Sequence, residues 1–349
     1  MNQIRIAVIG CGNVSRGHIR AWLNESERAQ IVALVDIAPQ FAQEYKKQFD
    51  LRDAEIYTDY RDVLGRKDVE VVDICTPSHL HAEQIMAAME AGKHVMTEKP
   101  TGYNLEECRQ LRWYSQKYPD LKVGVAYSLR YYPLNIRVRE LIASGAIGRI
   151  MFAEASHNHP HDCSHIFDEF HPHTESDRSG SYIPGSEMTG ATHVFDLMRY
   201  LFGEVKDVFS FKERYGAFVL MRFQSGALGK ATAAVASNQG LATPHVLCIQ
   251  GTLGSIFTQN TYQNDAWSVS GYHGYIVTEG RQELISVSGG DTGHGDATRT
   301  RNFLAAVLEG EPLIAPLEDA IRTSELLHAI WDSYNLEIRV PVHRLGKTG

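Results

Sequence analysis

Ile4-Arg5-Ile6-Ala7-Val8-Ile9-Gly10-Cys11-Gly12-Asn13-Val14-Ser15 is the stretch whose reading decides the fold. Ile4–Ile9 is apolar except for Arg5, the composition of a strand buried on both faces in a parallel sheet. Gly10 permits a tight turn, and Gly12 lets the backbone approach a pyrophosphate. The helix that opens at Asn13 and Val14 then offers N–H groups and a partial positive charge to that anion. Ser15 stands where the dinucleotide fingerprint has a third glycine or alanine, and is small enough for close helix–strand packing. Asp36 ends the next strand, 24 residues after Gly12. A carboxylate there accepts hydrogen bonds from adenosine ribose hydroxyls and repels a 2′-phosphate, so the expected cofactor is NAD rather than NADP. The other reading of Asp36 is a cap for the helix at Pro39.

Working outward, residues 1–125 alternate apolar strands (Ile4–Ile9, Ile31–Asp36, Val69–Ile74, His94–Thr97, Lys122–Ala126) with helical patterns (Val14–Leu23, Pro39–Phe49, His79–Ala91, Leu105–Tyr118). That alternation predicts an α/β Rossmann domain with a doubly wound parallel sheet. Residues 126–349 form the second expected domain. It has a helix over Pro133–Ser144, then strands over Ile150–Ser156, Val205–Glu213, Ala217–Phe223, Ala227–Val235, Val246–Gln250 and Ser255–Thr258. Glycine turns such as Ser225-Gly226 and Gly251-Thr252-Leu253-Gly254 read as hairpins of an antiparallel sheet. Two helices follow, one from Asp296 to before Gly310 and one over Leu317–Tyr334.

The chain has 349 residues, 43% apolar and 22% charged, with a formal charge of -8. No basic excess is present to neutralise phosphates, which argues against nucleic acid as a partner. No segment reaches the length a membrane span requires, and no signal peptide precedes the first strand. Five scattered cysteines without a C-x-x-C pair point to reduced thiols and a cytoplasmic location.

Two strand ends carry chemistry. Ile74-Cys75-Thr76-Pro77-Ser78-His79-Leu80-His81 leaves the carboxyl edge of the sheet, where ligands bind in open α/β folds. Thr76 and Pro77, with His79 and His81 beyond them, are expected along the cofactor. Thr97-Glu98-Lys99-Pro100-Thr101 places a lysine between a carboxylate and a proline. Oxidising an alcohol sends a hydride to nicotinamide and a proton to a base. Lysine can serve as that base when partial burial lowers its pKa. The alternative for Lys99 is a surface lysine paired with Glu98.

Gly10-x-Gly12-x-x-Ser15-x-x-His18, Thr76-Pro77-Ser78-x-x-His81, Glu98-Lys99-Pro100, His193-Val194-Phe195-Asp196 and Gly293-His294-Gly295-Asp296 together resemble the glucose–fructose oxidoreductase / inositol dehydrogenase / MocA family. The resemblance covers nearly the whole chain. It implies a C-terminal α+β domain with a large open sheet used for oligomerisation, hence a homodimer or homotetramer, and a sugar or cyclitol substrate. It implies that Lys99 contacts the nicotinamide ribose and the reacting hydroxyl, that Glu98 binds a ribose hydroxyl, and that the Lys99–Pro100 peptide is cis. Tyr127 and Arg130 lie in its hinge segment, where polar side chains reach the substrate; Tyr127 is favoured there over Tyr131 and Tyr132.

His193 and Asp196 share a helix face, three residues apart. Histidine suits the substrate proton, and Asp196 either orients it or binds a substrate hydroxyl; the alternative is a solvated helix face. Dehydrogenases of this family place an aspartate four residues before the histidine, where this chain has Thr189. The departure leaves two reactions open: net oxidation of a sugar hydroxyl, or a glycosidase or epimerase that retains NAD and oxidises transiently. Residues 157–190 read as a long polar loop. Its histidines (His157, His159, His161, His165, His171, His173) match no standard metal spacing, so the loop is expected to line the substrate cleft and no metal is expected.

Overall fold

The computed structural model describes residues 3–102, 104–159, 188–213, 216–235, 245–262, 269–287 and 295–343. The chain divides into two compact units. One comprises Met1–Tyr127 and Asp296–Ser324, the other Ser128–Gly295 and Glu325–Arg344. The sequence boundary at residue 125 therefore needs one correction. The segment from Asp296 to Ser324 returns to the first unit, because Phe303, Leu304, Leu317 and Ile321 complete its two apolar cores.

The first unit contains β1 (Ile4–Ile9), α1 (Ser15–Leu23), β2 (Ala29–Val35), α2 (Pro39–Gln48), β3 (Glu55–Tyr57), α3 (Tyr60–Leu64), β4 (Val71–Ile74), α4 (His81–Glu90), β5 (His94–Thr97), α5 (Leu105–Lys117) and β6 (Val123–Val125). All pairings are parallel, in the order β3-β2-β1-β4-β5-β6. Strand residues alternate between the two cores: Ile4, Ile6 and Val8 face one, Ala7 and Ile9 the other. Burial on both faces explains the continuous apolar runs. The strand order reverses between β1 and β4, so the loops after these strands part in opposite directions and leave the crevice where such sheets bind ligands.

The second unit contains α6 (Pro133–Ala143), β7 (Ile150–His159), α7 (Met188–Phe202), β8 (Val205–Glu213), β9 (Gly216–Phe223), β10 (Leu228–Val235), β11 (His245–Gly251), β12 (Gly254–Tyr262), β13 (Val269–Thr278), β14 (Arg281–Leu284) and β15 (Val340–Pro341). The nine-stranded sheet runs β14-β13-β12-β11-β7-β10-β9-β8-β15, antiparallel except for the β10–β7 pair. Its inner residues Ala153, Ala155, Val219, Met221 and Ala231 pack with Val194, Phe195, Met198 and Phe202 of α7. On the other face Phe211, Phe218, Leu220 and Leu228 are exposed. The closing helices are α8 (Asp296–Leu308) and α9 (Leu317–Leu336). Among the described residues no helix is long and apolar enough to cross a membrane.

Candidate dinucleotide and catalytic site

The turn after β1 is fixed by its own side chains. Gly10 has φ +93°, and a Cβ there would stand 2.7 Å from the carbonyl oxygen of Cys75, at the end of neighbouring β4. A side chain is excluded both by conformation and by the adjoining strand end. Around Gly12, in contrast, an added Cβ would meet nothing within 4 Å. Two hydroxyls donate to the Gly12 carbonyl, Ser15 Oγ and Tyr45 Oη, each at 2.7 Å. The carbonyl is thereby anchored, and the open side of the turn meets the N-terminus of α1, where the N–H groups of Arg16 and Gly17 turn back to the carbonyls of Asn13 and Val14. Room beside Gly12 and donors beyond it fit a pyrophosphate. No acidic residue occupies the first turn of α1 to repel it.

The Asp36 carboxylate is held by two backbone donors. One carboxylate oxygen accepts from the N–H of Cys11 and the other from that of Ala38, both at 2.9 Å. The second contact braces the start of α2, and the first locks the carboxylate onto the glycine turn. Each oxygen keeps a lone pair for a further donor.

Beyond β4, Thr76 donates to Gln84 at 2.6 Å and Pro77 is exposed. The Nδ1 of His79 is buried without a hydrogen-bond partner among the described residues, an orphaned polar atom at the ligand edge of the sheet. A ligand group there would satisfy it. His81 requires correction as a cofactor contact. It is 1% exposed, and its ring nitrogens lie 2.7 Å from the carbonyl oxygens of Thr76 and Pro100. It ties the ends of β4 and β5 together instead of reaching the crevice.

Glu98 and Lys99 follow β5 directly, and both are partly exposed. The Lys99–Pro100 peptide is cis. The N–H of Lys99 donates to Oε2 of Glu98 at 3.2 Å. Burial lowers the Lys99 pKa from its ordinary value, and Glu98 opposes the shift. Burial pushes the thiols of Cys11 and Cys75 up to about 12, so both stay neutral and unreactive.

Beneath this surface lies a cluster the sequence reading did not assign. His18 touches Asp73 and Glu98, and Trp22 Nε1 donates to Asp73 at 2.6 Å. The available signal was Asp73 itself, a carboxylate inside the apolar strand Val71-Val72-Asp73-Ile74. Such a group requires a buried partner. His18, Asp73 and Cys75 are close enough to suggest a metal, but their atoms already hydrogen-bond one another and Trp22.

In the second unit His193 is half-buried on α7. The side chain of Thr189, and His161, His165, His171 and His173, lie outside the described residues; His157 and His159 fall on β7. Arg130 and Asp196 require correction as substrate contacts. Both side chains are 1% exposed, and they pair with each other through two bonds of 2.6 and 2.7 Å. Tyr127 is buried like Tyr131 and Tyr132, so burial does not single it out as the tyrosine that meets a ligand.

Comparison with known proteins agrees with these features. Residues 4–127 match the Gfo/Idh/MocA oxidoreductase family's NAD-binding Rossmann fold, and residues 139–342 its C-terminal alpha/beta domain. The chain belongs to this family. It is 31% identical over 219 residues to a levoglucosan dehydrogenase of Pseudarthrobacter phenanthrenivorans, covering 60% of this chain and 53% of that one. It is 29% identical over 154 residues to an inositol 2-dehydrogenase of Salmonella typhimurium, covering 44% and 46%. The chain thus spans about half the length of these curated relatives. A solved levoglucosan dehydrogenase, in complex with NADH and L-sorbose, superimposes with a TM-score of 0.81 at 23% identity, covering 99% of this chain and 100% of that one. At that identity the match shows the shared fold.

Proposed function

We propose that this member of the oxidoreductase family oxidises a secondary hydroxyl of a sugar, glycoside or cyclitol with NAD, Lys99 and His193 handling the hydroxyl proton. The observation that carries the reading is Lys99: a partly buried lysine at the end of β5, its pKa lowered by burial, in the same unit as the glycine turn and Asp36. Bound at that turn, NAD supplies the hydride acceptor. Asn13 and Val14 offer the helix N-terminus to the pyrophosphate, Asp36 accepts from the adenosine ribose, and Thr76, Pro77 and His79 border the cofactor. Glu98 accepts from the nicotinamide ribose. The lowered pKa leaves a larger share of Lys99 as the neutral amine, which can take the hydroxyl proton. Assigning His193 and Thr189 to the substrate rests on the sequence resemblance, and the names of the levoglucosan and inositol relatives support a cyclic polyol. Exposed Phe211, Phe218, Leu220 and Leu228 support self-association through the second sheet.

The test is NADH absorbance after mixing the protein with NAD and a panel of sugars, anhydrosugars and cyclitols. Absorbance growing with one class supports the reading. No NADH from any of them removes it. Thr189, at the position where the resemblance places an aspartate, favours a second reading, a glycosidase or epimerase with retained NAD. That enzyme would release aglycone or epimer with no net NADH, and NAD would stay with the purified protein.

A further inference from the structure

His18 on α1 is 2% exposed and lies between two carboxylates. Its Nδ1 is 2.8 and 3.0 Å from the two oxygens of Asp73 on β4, and its Nε2 is 3.1 Å from Oε1 of Glu98 at the end of β5. An ionised carboxylate only accepts, and a neutral imidazole has one N–H to give. Satisfying both neighbours therefore takes a proton on each ring nitrogen. The charged and titratable groups around the ring come from three elements. Asp73 belongs to β4 and Cys75 follows it, Glu98 follows β5, and Arg299 sits on α8, paired with Asp296 at 3.0 Å. Trp22, on His18's own helix, donates to Asp73 and holds that carboxylate in place.

We propose that His18 is a positioning residue of the dinucleotide site: protonated on both ring nitrogens, it keeps Glu98 ionised and anchors its Oε1, while the Lys99 N–H holds Oε2. Glu98 thereby presents an acceptor of fixed charge and direction at the strand end that carries Lys99. Burial and Arg299 push the His18 pKa down, but Asp73 and Cys75 outweigh them and hold it well above 6.5. Burial pushes Glu98 up, yet His18, with help from Lys99 and Arg299, holds it well below the usual carboxylate range.

Two measurements test this. Nitrogen NMR of the wild-type protein, near pH 8 where an ordinary histidine of pKa about 6.5 is neutral, is expected to show both His18 ring nitrogens protonated. The resonances are assigned by their loss in His18→Gln. A single protonated nitrogen overturns the proposal, and this readout does not depend on a variant binding anything. The second is NADH titration of His18→Gln across pH, with circular dichroism confirming its fold. Without the imidazolium, burial raises the Glu98 pKa, and affinity should fall about tenfold for each pH unit below the new value. The wild type should lack this acid limb, and adding Glu98→Gln to His18→Gln should abolish it. A loss of affinity equal at every pH, or no loss at all, makes His18 a packing residue and overturns the proposal. The titration rests on Glu98 contacting NAD, as read above, but no arm rests on the substrate. Both expected results in a protein that oxidises no polyol would defeat that reading and leave this one standing.

Discussion

Replacing Gly10 and Gly12 in turn by alanine separates a glycine the fold requires from one the cofactor requires. At Gly10 the backbone sits at φ +93°, and a methyl group would stand 2.7 Å from the carbonyl oxygen of Cys75, 2.8 Å from its carbon and 3.0 Å from the nitrogen of Thr76. All three are main-chain atoms of the β4 end, which cannot swing aside as a side chain could. The left-handed conformation costs about 1–2 kcal/mol in alanine, and forcing a methyl into a filled space about 1–3 kcal/mol more. Gly10→Ala should therefore destabilise the first unit by roughly 2–5 kcal/mol. Gly12 is not among the glycines with positive φ, and its added Cβ meets nothing within 4 Å. Gly12→Ala should leave stability within about 1 kcal/mol of wild type, with any change tending to stabilise. Its methyl would instead occupy the space offered to the pyrophosphate, and the NADH Kd should rise at least about tenfold, about 1.4 kcal/mol. Urea unfolding followed by circular dichroism and NADH fluorescence titration read the two quantities separately. If Gly12→Ala unfolds as early as Gly10→Ala, the space beside Gly12 is wrongly read. If it binds NADH like wild type, the pyrophosphate does not lie at this turn.

Three further outcomes are expected. Lys99→Met should retain NADH binding but lose at least about a hundredfold in polyol oxidation, the range of general-base contributions. In the wild type the base must be deprotonated, so the rate should fall with falling pH through the Lys99 pKa, with a midpoint below the ordinary 10.5; a limb at or above that value contradicts the burial argument. Asp196→Asn should destabilise the second unit by about 3–5 kcal/mol in urea unfolding, because Arg130 stays buried without its carboxylate, whereas Arg130→Met with Asp196→Leu should recover most of the loss; equal losses in both would show that the charge is not the cause. Phe218→Glu with Leu220→Lys should lower the assembly state measured by light scattering without changing the far-ultraviolet spectrum, and an unchanged mass would remove the exposed sheet face as the interface.

The NAD-binding half of the molecule was legible in the sequence because it is local. Apolar runs of six residues, a glycine turn and a strand-terminal aspartate each report their structure within one βαβ unit. The short edge strands were not legible: β3 is three residues long and β14 is exposed throughout, so neither carries an alternating apolar pattern to read. The return of Asp296–Ser324 to the first unit was equally hidden, since helical periodicity marks an apolar face but not the sheet it covers.

Side-chain roles divide the same way. Sequence alone identified Lys99 and Glu98 as residues at a strand end, and the family resemblance supplied the roles proposed for them. It could not tell a polar side chain aimed at a ligand from one bonded inside the protein. His81, Arg130 and Asp196 looked like the former and are the latter, because their partners lie 19 and 66 residues away in the chain. His18 is the converse: a histidine on the first helix, 80 residues from Glu98, drawn into the site by the adjacency of β1, β4 and β5. The sequence determined which strand ends carry the glycine turn, Asp36 and the Glu98-Lys99 pair. Which groups share a charge was decided only by the packing of those ends, because buried electrostatics depend on distances of about 3 Å that no chain spacing encodes.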